Sequence, residues 1–276
     1  MVVVVGLGVI GGSYAMALKA AGIGDVYGVD CDEKTLKIAV ERGLIVKGST
    51  DAADFLPQAE LVILALYPDL VRGFLDKYRD DFAPECVITD ATGVKSELAA
   101  QLSGCLRDDV DFVLGHPMAG REKKGIDFAS DKVFQGANYL ITPIERNKPE
   151  NIERIEALAA ALGFKSVKRI SPIEHDELIA YTSQLPHLMA VALVNSDKPG
   201  RETGRFIGDS YRDLTRIASI NGDLWSELFL LNKAQLLIVI DEYLDQMNAL
   251  RTAIEQNNRE DMMEMFAQST ARRDAL

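Results

Sequence analysis

The sequence predicts an α/β fold with a doubly wound, mostly parallel sheet, followed by an all-helical domain. Up to about residue 169, short apolar runs rich in valine and isoleucine alternate with segments of helical period. A glycine-rich turn follows the first of these runs, and strand-like runs stop after Ser171. We therefore expect an α/β domain over residues 1–169 and an all-helical domain over 170–276.

The α/β part is predicted from apolar runs that are short enough to be strands buried on both faces. Such strands lack the alternating pattern of half-exposed ones, because helices cover both sides of a parallel sheet. The expected strands are residues 2–5, 26–30, 61–66, 86–90, 112–116, 138–142 and 166–170. The expected helices between them are 14–21, 34–42, 70–78 and 151–162.

The second part shows long segments of helical period, at 172–194, 204–220, 223–256 and 260–273. Within the third segment, the stretch from Leu236 to Ile240 is apolar on every side, so it must be covered all round. A domain of about 100 residues offers little surface to do this alone, which favours a homodimer formed through the helical domain. The alternative is a monomeric bundle with this helix at its centre.

Composition and charge exclude several classes of protein. The chain has 276 residues, 47% of them hydrophobic, with 30 Lys plus Arg against 42 Asp plus Glu, a net charge of -12. A folded protein this acidic, without a basic run, does not fit a broad nucleic-acid or anionic-membrane surface. The three scattered cysteines argue against a disulfide framework, and neither a membrane span nor a signal peptide is recognisable. We expect a cytoplasmic protein that binds any anionic ligand in a local pocket.

The first motif is a glycine fingerprint, in which Gly6, Gly8 and Gly11 stand between a strand and a helix. This spacing permits a tight turn, close approach of the backbone to a pyrophosphate, and close packing of helix on strand. Asp30 ends the second strand, where a carboxylate accepts hydrogen bonds from ribose hydroxyls and repels a 2′-phosphate. The first domain is therefore expected to be Rossmann-type and to bind NAD. The expected cofactor-binding residues are Gly6, Leu7, Gly8, Val9, Ile10, Gly11, Asp30 and Leu66.

Histidines are scarce, since the chain contains only His116, His175 and His187. His116 follows a strand, at the edge where ligands bind in open α/β sheets, and an imidazole can accept a proton near neutral pH. It is the best candidate for a general base, although a lone histidine can also be a cap or a core residue. No HExxH motif or close His/Cys/carboxylate cluster appears, so we expect no metal site.

The other two histidines lie on the first predicted helix of the second domain. They are 12 residues apart, a spacing that does not put them on one helix face. Ser183 and His187 do share a face, whereas Pro186 removes a backbone hydrogen bond and predicts a kink there. From spacing alone, each of these histidines is as compatible with a cap or an exposed position as with a site.

Two arginines, Arg212 and Arg216, are four residues apart and would project from one helix face. Guanidinium groups so placed can bind carboxylates in bidentate fashion. However, Asp209 and Asp213 lie within one turn of them, and the spacing alone favours a self-neutralising surface helix.

Taken together, these motifs resemble one family closely, the prephenate and arogenate dehydrogenases of tyrosine biosynthesis. The matching elements occur in family order and cover most of the chain. They are GLGVIGGS at 6–13, Asp30, TDATGVK at 89–95, HPMAGREKKG at 116–125, HD at 175–176, TSQLPH at 182–187, and YRDLTRIASINGDLW at 211–225.

The resemblance implies an NAD-dependent oxidative decarboxylation of prephenate, a small dicarboxylate, to 4-hydroxyphenylpyruvate and carbon dioxide. His116 is similar to the family's catalytic histidine, which takes the proton of the ring hydroxyl as hydride leaves the same carbon. Arg216 is similar to the carboxylate-binding arginine, and His187 to a second histidine that holds substrate. The expected substrate-binding residues are Arg216, His187, His175 in a supporting role, Arg212 and Ser183.

The chain departs from the family pattern at a few positions. Where the family often has Gly-Ser, this chain has Thr92 and Gly93, so we expect the Thr92 hydroxyl to replace the missing serine beside the catalytic histidine. The family also often has histidine where Gln184 stands, and glycines at Asp209 and Ser210. These differences affect the shape of the pocket and the choice of substrate.

Three other functions remain open from the sequence. An arogenate dehydrogenase would act on a substrate with an amino group in place of the keto group. A non-catalytic NAD-sensing module would need the glycine fingerprint and Asp30 but none of the histidines and not Arg216. A hydroxyacid dehydrogenase of similar build would ordinarily use a lysine on the helical domain as its base, and no lysine there matches as well as His116.

Overall fold

The computed structural model describes residues 1–102, 104–120 and 123–276. Positions 121 and 122 of the motif HPMAGREKKG therefore lie outside the described residues. The chain divides by packing into two units, Met1–Asn232 and Lys233–Leu276. The boundary at 169/170, which rests on the sequence pattern, stays a prediction.

Within the described residues, eight strands form a single sheet with the order β3-β2-β1-β4-β5-β6-β7-β8. Neighbouring strands are parallel throughout, except that β6 and β7 are antiparallel. The strands are β1 Val2–Val5, β2 Val26–Val29, β3 Lys47–Ser49, β4 Leu61–Leu64, β5 Val87–Asp90, β6 Asp111–Pro117, β7 Asn138–Thr142 and β8 Ser166–Arg169. The predicted fold class is confirmed. The short edge strand β3 was not predicted, because a lysine, a glycine and a serine carry no apolar pattern.

Helices pack on both faces of this sheet. They are α1 Val9–Ala20, α2 Glu33–Glu41, α3 Pro68–Lys77, α4 Ser96–Gln101 and α5 Pro149–Ala161. The sequence marks several of their starts: Asp32 accepts a hydrogen bond from the amide of Lys34, and α3 and α5 each begin with proline. The six-residue α4 was not predicted, since it is too short to show a helical period.

The core consists of two apolar layers, one on each face of the sheet. Val2 and Val4 of β1 point into one layer, whereas Val3 and Val5 point into the other. Because successive side chains of a strand point to opposite faces, all four valines are buried. This arrangement explains the continuous apolar runs from which the strands were predicted.

Beyond β8 the first unit is helical, with α6 Pro172–Ile179, α7 Leu185–Asn195, α8 Asp209–Thr215 and α9 Gly222–Leu231. Ser171 begins α6 with a capping box, in which its side chain and that of Glu174 bond to each other's backbone amides. Between α6 and α7, Ala180–Gln184 forms a π-helical turn. Pro186 has no amide hydrogen, so the regular bonding of an α-helix cannot pass through it. The disturbance predicted at Pro186 thus takes the form of a π-turn.

The second unit contains α10 Lys233–Glu255 and α11 Arg259–Asp274, with Asn258 capping α11 through the amide of Asp261. The prediction of one helix over 223–256 was wrong, because the helical backbone is interrupted at Asn232, with φ -106° and ψ 24°. In the stretch expected to be covered all round, Leu236 is buried but Leu237 and Ile238 are 49% and 53% exposed. The helices of the described chain are all too short or too polar to span a bilayer.

Candidate active site

A cavity of about 750 Å³ lies in the first unit, at the carboxyl ends of the central strands. Ligands bind at this edge in open α/β sheets, and the volume is in the range of small-molecule sites. The cavity is lined on the sheet side by the turns after β1, β4 and β5 and by the end of β6 and the loop that follows it. On the other side it is lined by the π-turn, α7, α9 and the segment between α8 and α9. Residues from the α/β part and from the helical part therefore face the same space.

The glycine-rich turn has the shape that a bound dinucleotide requires. Gly6 has φ +83°, and a Cβ there would lie 2.6 Å from the carbonyl oxygen of Ala65. A Cβ at Gly11 would lie 1.7 Å from the carbonyl oxygen of Gly6, so α1 can approach β1 only with glycine. At Gly8 no atom lies within 4 Å of the Cβ position, and this residue both caps α1 and lines the cavity. The open side of the turn fits a pyrophosphate at the helix N-terminus.

The predicted cofactor-binding residues divide into two groups. Four of them line the cavity: Gly8, Val9, Ile10 and Leu66. The other residues of the turn do not line the cavity but are packed beneath it: Gly6, Leu7 and Gly11. Asp30 follows β2 and accepts hydrogen bonds from the amide of Leu7 at 2.7 Å and of Asp32 at 2.9 Å. Its carboxylate therefore supports the turn, and each oxygen keeps a lone pair for a ribose hydroxyl.

His116, at the end of β6, lines the cavity and belongs to a chain of three side chains. Its Nδ1 lies 2.9 Å from Nε2 of His175, whose Nδ1 lies 2.8 Å from Oδ1 of Asp176. Burial lowers the pKa of His116 well below its ordinary value, and the charges of His175 and Lys95 act in the same direction. Burial also lowers the pKa of His175. Both imidazoles are therefore neutral near neutral pH, which is the state that a general base requires.

Structurally, His175 lies behind His116 rather than in the cavity. Its side chain is fully buried, and it is not one of the residues that line the cavity wall. The expectation that His175 binds substrate is corrected accordingly: a side chain that contacts His116 and Asp176 inside the protein is shielded from the ligand.

The Thr92 hydroxyl has hydrogen-bond partners other than the expected His116. It borders the cavity, but its hydroxyl donates to the carboxylate of Asp90 and accepts from Nζ of Lys95 at 2.9 Å. Asp90 and Lys95 form a fully buried ion pair, and Asp90 also accepts the amide of Gly115 at 2.9 Å. The geometry does not support the expectation that Thr92 supplies a hydroxyl to His116, because the buried pair engages that hydroxyl. Thr92 holds the turn after β5.

Of the predicted substrate-binding residues, Arg216, His187 and Ser183 line the cavity. Arg212 does not line it; it is exposed and pairs with Asp209 at 3.0 Å. The spacing argument fails because α8 ends at Thr215 and a 3₁₀ turn, Arg216–Ala218, follows. The two arginines do not share one continuous α-helix: Arg212 pairs with Asp209 at the surface, whereas Arg216 lines the cavity.

His187 is held from two sides. Its Nδ1 donates to the carbonyl oxygen of Ser183 at 2.9 Å, one turn earlier, and its ring stacks on Trp225 with centroids 3.7 Å apart. Trp225 also lines the cavity and was not among the predicted site residues. It is the only tryptophan of the sequence and closes the last family motif, which was the available signal.

Three further polar residues line the cavity, Tyr67, Gln184 and Asn221, and only Gln184 was singled out from the sequence. Asn221 donates to the hydroxyl of Tyr67 at 2.9 Å, and its Oδ1 is buried without a partner among the described residues. Gln184 is buried and donates to the carbonyl oxygen of Leu228 at 3.1 Å. Their roles depend on pairs 44 and 154 residues apart in the chain, which no local pattern reveals.

The cavity has the charge that an acidic ligand requires. Lys123 and Lys124 line it together with Arg216, although Lys124 also pairs with Asp223 at 3.0 Å. Cationic side chains of this kind favour binding of carboxylates. Among the described residues, no group of three or more His, Cys, Asp or Glu side chains could hold a metal ion.

The glycine-rich turn, the neutral histidine and the cationic wall around one cavity define an NAD-dependent dehydrogenase. The family model for "Prephenate dehydrogenase, nucleotide-binding domain" matches residues 14–168, and the model for "Prephenate dehydrogenase, dimerization domain" matches residues 171–268. The chain belongs to the prephenate dehydrogenase family.

The similarity to several known proteins covers nearly the whole chain. The prephenate dehydrogenase of Bacillus subtilis is 29% identical over 281 residues, which covers 100% of this chain and 76% of that protein. The crystal structure of the Aquifex aeolicus prephenate dehydrogenase with hydroxyphenyl propionate and NAD+ superposes with a TM-score of 0.91 at 29% identity, covering 99% of this chain and 97% of that one. The Synechocystis arogenate dehydrogenase superposes with a TM-score of 0.84 at 28% identity, covering 99% of both chains.

Proposed function

We propose that this protein catalyses the NAD-dependent oxidative decarboxylation of prephenate to 4-hydroxyphenylpyruvate and carbon dioxide, a step of tyrosine biosynthesis. The observation that carries this proposal is the convergence of His116, Arg216 and Gly8 on one cavity. His116 and Arg216 are 100 residues apart in the sequence. A module that only senses the cofactor would need neither side chain in the cavity.

The proposed roles follow from the positions of the side chains. Bound NAD+ supplies the acceptor for the hydride that leaves the carbinol carbon. His116 takes the hydroxyl proton of that carbon on Nε2, and Arg216 binds a carboxylate of the substrate. His187, whose ring is stacked on Trp225, forms part of the wall that holds the substrate. Departure of the ring carboxylate as carbon dioxide makes the ring aromatic, which drives the reaction. The protein therefore contributes positioning and charge rather than a strong base.

The test is a His116→Asn variant assayed with prephenate and NAD. The wild-type protein should produce reduced nicotinamide and 4-hydroxyphenylpyruvate, identified by absorbance and by mass spectrometry. Because the pKa of His116 is lowered, the wild-type rate should persist to a pH below the ordinary histidine range and fall only in stronger acid. The variant should lose about 10²-fold or more in turnover and keep its affinity for NAD.

Unchanged turnover in the His116→Asn variant would contradict the assignment of the base. Absence of turnover by the wild-type protein with prephenate would contradict the proposed function itself.

Arogenate is the second candidate substrate, and the similarity to the Synechocystis arogenate dehydrogenase favours its inclusion. Arogenate carries an ammonium group where prephenate has a keto group. The three cationic residues that line the cavity, Arg216, Lys123 and Lys124, favour the more anionic prephenate. Side-by-side assays of the two substrates at equal concentration decide between them: a higher kcat/KM with arogenate would reverse this preference.

We further propose that the protein is a cytoplasmic homodimer that associates through its helical part. The family model that matches residues 171–268 describes a dimerization domain. In the second unit, α10 and α11 also expose large apolar side chains, which a second copy of the chain would cover. They include Leu244, Met247, Ile254, Met263 and Phe266.

A further inference from the structure

His175 is fully buried and lies between two polar partners, His116 and Asp176. The distances are 2.9 Å from its Nε2 to Nδ1 of His116 and 2.8 Å from its Nδ1 to Oδ1 of Asp176. The chain of contacts therefore begins at a carboxylate inside the protein and ends at the imidazole that lines the cavity.

Asp176 can only accept hydrogen bonds in this arrangement. Its Oδ1 accepts the amide of Lys95 and its Oδ2 the amide of Ser96, each at 2.8 Å. Burial opposes its ionisation, but the hydrogen bonds from His175 and Ser96 outweigh that effect, and the pKa of Asp176 is lowered. An ionised carboxylate has no proton to offer, so Nδ1 of His175 must carry the hydrogen of their shared bond.

The position of one hydrogen then determines the position of the next. His175 is neutral, so with its hydrogen on Nδ1 its Nε2 has a lone pair and must accept. His116 donates to it from Nδ1, and the neutral ring of His116 therefore has no hydrogen on Nε2. Nε2 is the ring nitrogen of His116 that remains to take a proton.

We propose that Asp176 and His175 are positioning residues that fix the tautomer of His116, leaving its Nε2 as the proton acceptor. Its catalytic consequence rests on the function proposed above. The same chain stabilises the imidazolium that forms on His116, because the negative charge of Asp176 lies two hydrogen bonds away. Lys95 is the nearby opposing charge, and Asp90 compensates it within a buried ion pair.

The tautomers can be measured without substrate or cofactor. The chain has only three histidines, so a protein labelled with ¹⁵N-histidine gives three ring systems, and His116→Asn and His187→Gln variants assign them. In the wild-type protein near neutral pH, NMR correlations should show His116 and His175 both protonated on Nδ1 and bare on Nε2. A hydrogen on Nε2 of His116 would overturn the proposal, and this measurement does not depend on whether an Asp176 variant folds.

The variant that tests the chain is Asp176→Asn. An asparagine keeps the size of the side chain but has one acceptor oxygen, whereas both carboxylate oxygens of Asp176 accept backbone amides. With that oxygen bonded to the amide of Ser96, the NH2 group takes the place of Oδ1, loses the bond from the amide of Lys95 and can donate to Nδ1 of His175. That would reverse both hydrogen bonds and place a hydrogen on Nε2 of His116. We expect kcat with prephenate to fall on the order of 10³- to 10⁴-fold, the scale of the loss when an asparagine reverses the tautomer of the histidine in a Ser-His-Asp triad. KM should stay within about threefold of the wild-type value, since neither Asp176 nor His175 lines the cavity.

The matched control is Glu174→Gln, which removes one negative charge from the same helix. Glu174 is exposed and serves the capping box of α6, a role that glutamine also fills. This control should keep the wild-type tautomers, kcat and KM. An Asp176→Asn protein that is folded, retains the Nδ1–H tautomer of His116 and keeps the wild-type kcat would contradict the proposal.

The two proposals fail in different ways. If the tautomers are as expected but no variant or wild-type protein turns over prephenate, the proposed function is wrong and the positioning chain stands. If the wild-type protein turns over prephenate while His116 carries its hydrogen on Nε2, the positioning chain is wrong and the function stands.

Discussion

At the scale of single residues, two arginines of this protein have different environments because the backbone conformation changes between them. Arg212 lies on α8 and pairs with Asp209 at the surface, whereas Arg216 opens a 3₁₀ turn and lines the cavity. The change of helix type between them separates two guanidinium groups that an uninterrupted α-helix would place on one face.

This difference predicts unequal effects of two matched substitutions. Arg216→Ala should lower kcat/KM for prephenate by about 10- to 100-fold, the scale of a lost charge-assisted hydrogen bond, mainly through KM. Arg212→Ala should change kcat/KM by less than about threefold, because an exposed ion pair contributes little. Steady-state kinetics of both variants check this, and equal losses would place Arg212 in the substrate site after all.

At the scale of elements, the β1–α1 turn depends on an approach that only glycine allows. A Cβ at Gly11 would lie 1.7 Å from the carbonyl oxygen of Gly6, which is backbone and cannot move aside without moving β1 or α1. Gly73 on α3 is different, since a Cβ there meets no atom within 4 Å.

Gly11→Ala should therefore displace α1 and weaken NAD binding by about tenfold or more, with a loss of stability of roughly 1–3 kcal/mol. Gly73→Ala should leave NAD binding unchanged and raise stability by up to about 1 kcal/mol, because alanine favours the helix. Calorimetric titration with NAD and thermal unfolding of both variants measure these effects. Wild-type affinity in Gly11→Ala would refute the close packing at this turn.

The π-turn shows how an element can be recognised only in part from sequence. Pro186 signals that the helix is disturbed, but it does not say whether the chain bends, breaks or widens. In the structure the helix widens over Ala180–Gln184, and Ser183 and His187, on either side of Pro186, both line the cavity.

At the scale of the whole molecule, the apolar side chains exposed on α10 and α11 bear on assembly. Met247 is 47% exposed and Phe266 54% exposed. Exposed apolar groups of this size on neighbouring helices are typical of surfaces that a partner covers.

We expect the purified protein to have twice the mass of its 30.3 kDa chain by light scattering after size-exclusion chromatography. The double variant Met247→Glu/Phe266→Glu should shift towards the single-chain mass at micromolar concentration, because two carboxylates would be buried at the proposed interface. Gln256→Glu, a change of charge at an exposed polar position, serves as the control and should stay dimeric. A wild-type protein of single-chain mass would refute the dimer.

The fold class could be predicted because its signals are local. Strands buried on both faces read as short apolar runs, and the glycine spacing reports a turn within a few residues. The sequence missed β3 and α4, which are too short for a pattern, and the interruption at Asn232. That residue bonds through its side chain to Asp176 and Gln184, 56 and 48 residues away.

The dinucleotide turn, the position of His116 at the end of a strand and the order of the family motifs could be read from the amino-acid sequence, because each depends on neighbours along the chain. Three features became visible only in the folded protein: His175 lies behind His116, Asp90 and Lys95 bind the Thr92 hydroxyl, and Arg216 rather than Arg212 lines the cavity. They could not be read from the sequence because hydrogen bonds and burial depend on which residues pack together in space. The partner of His116 is 59 residues away in the sequence and 2.9 Å away in the fold.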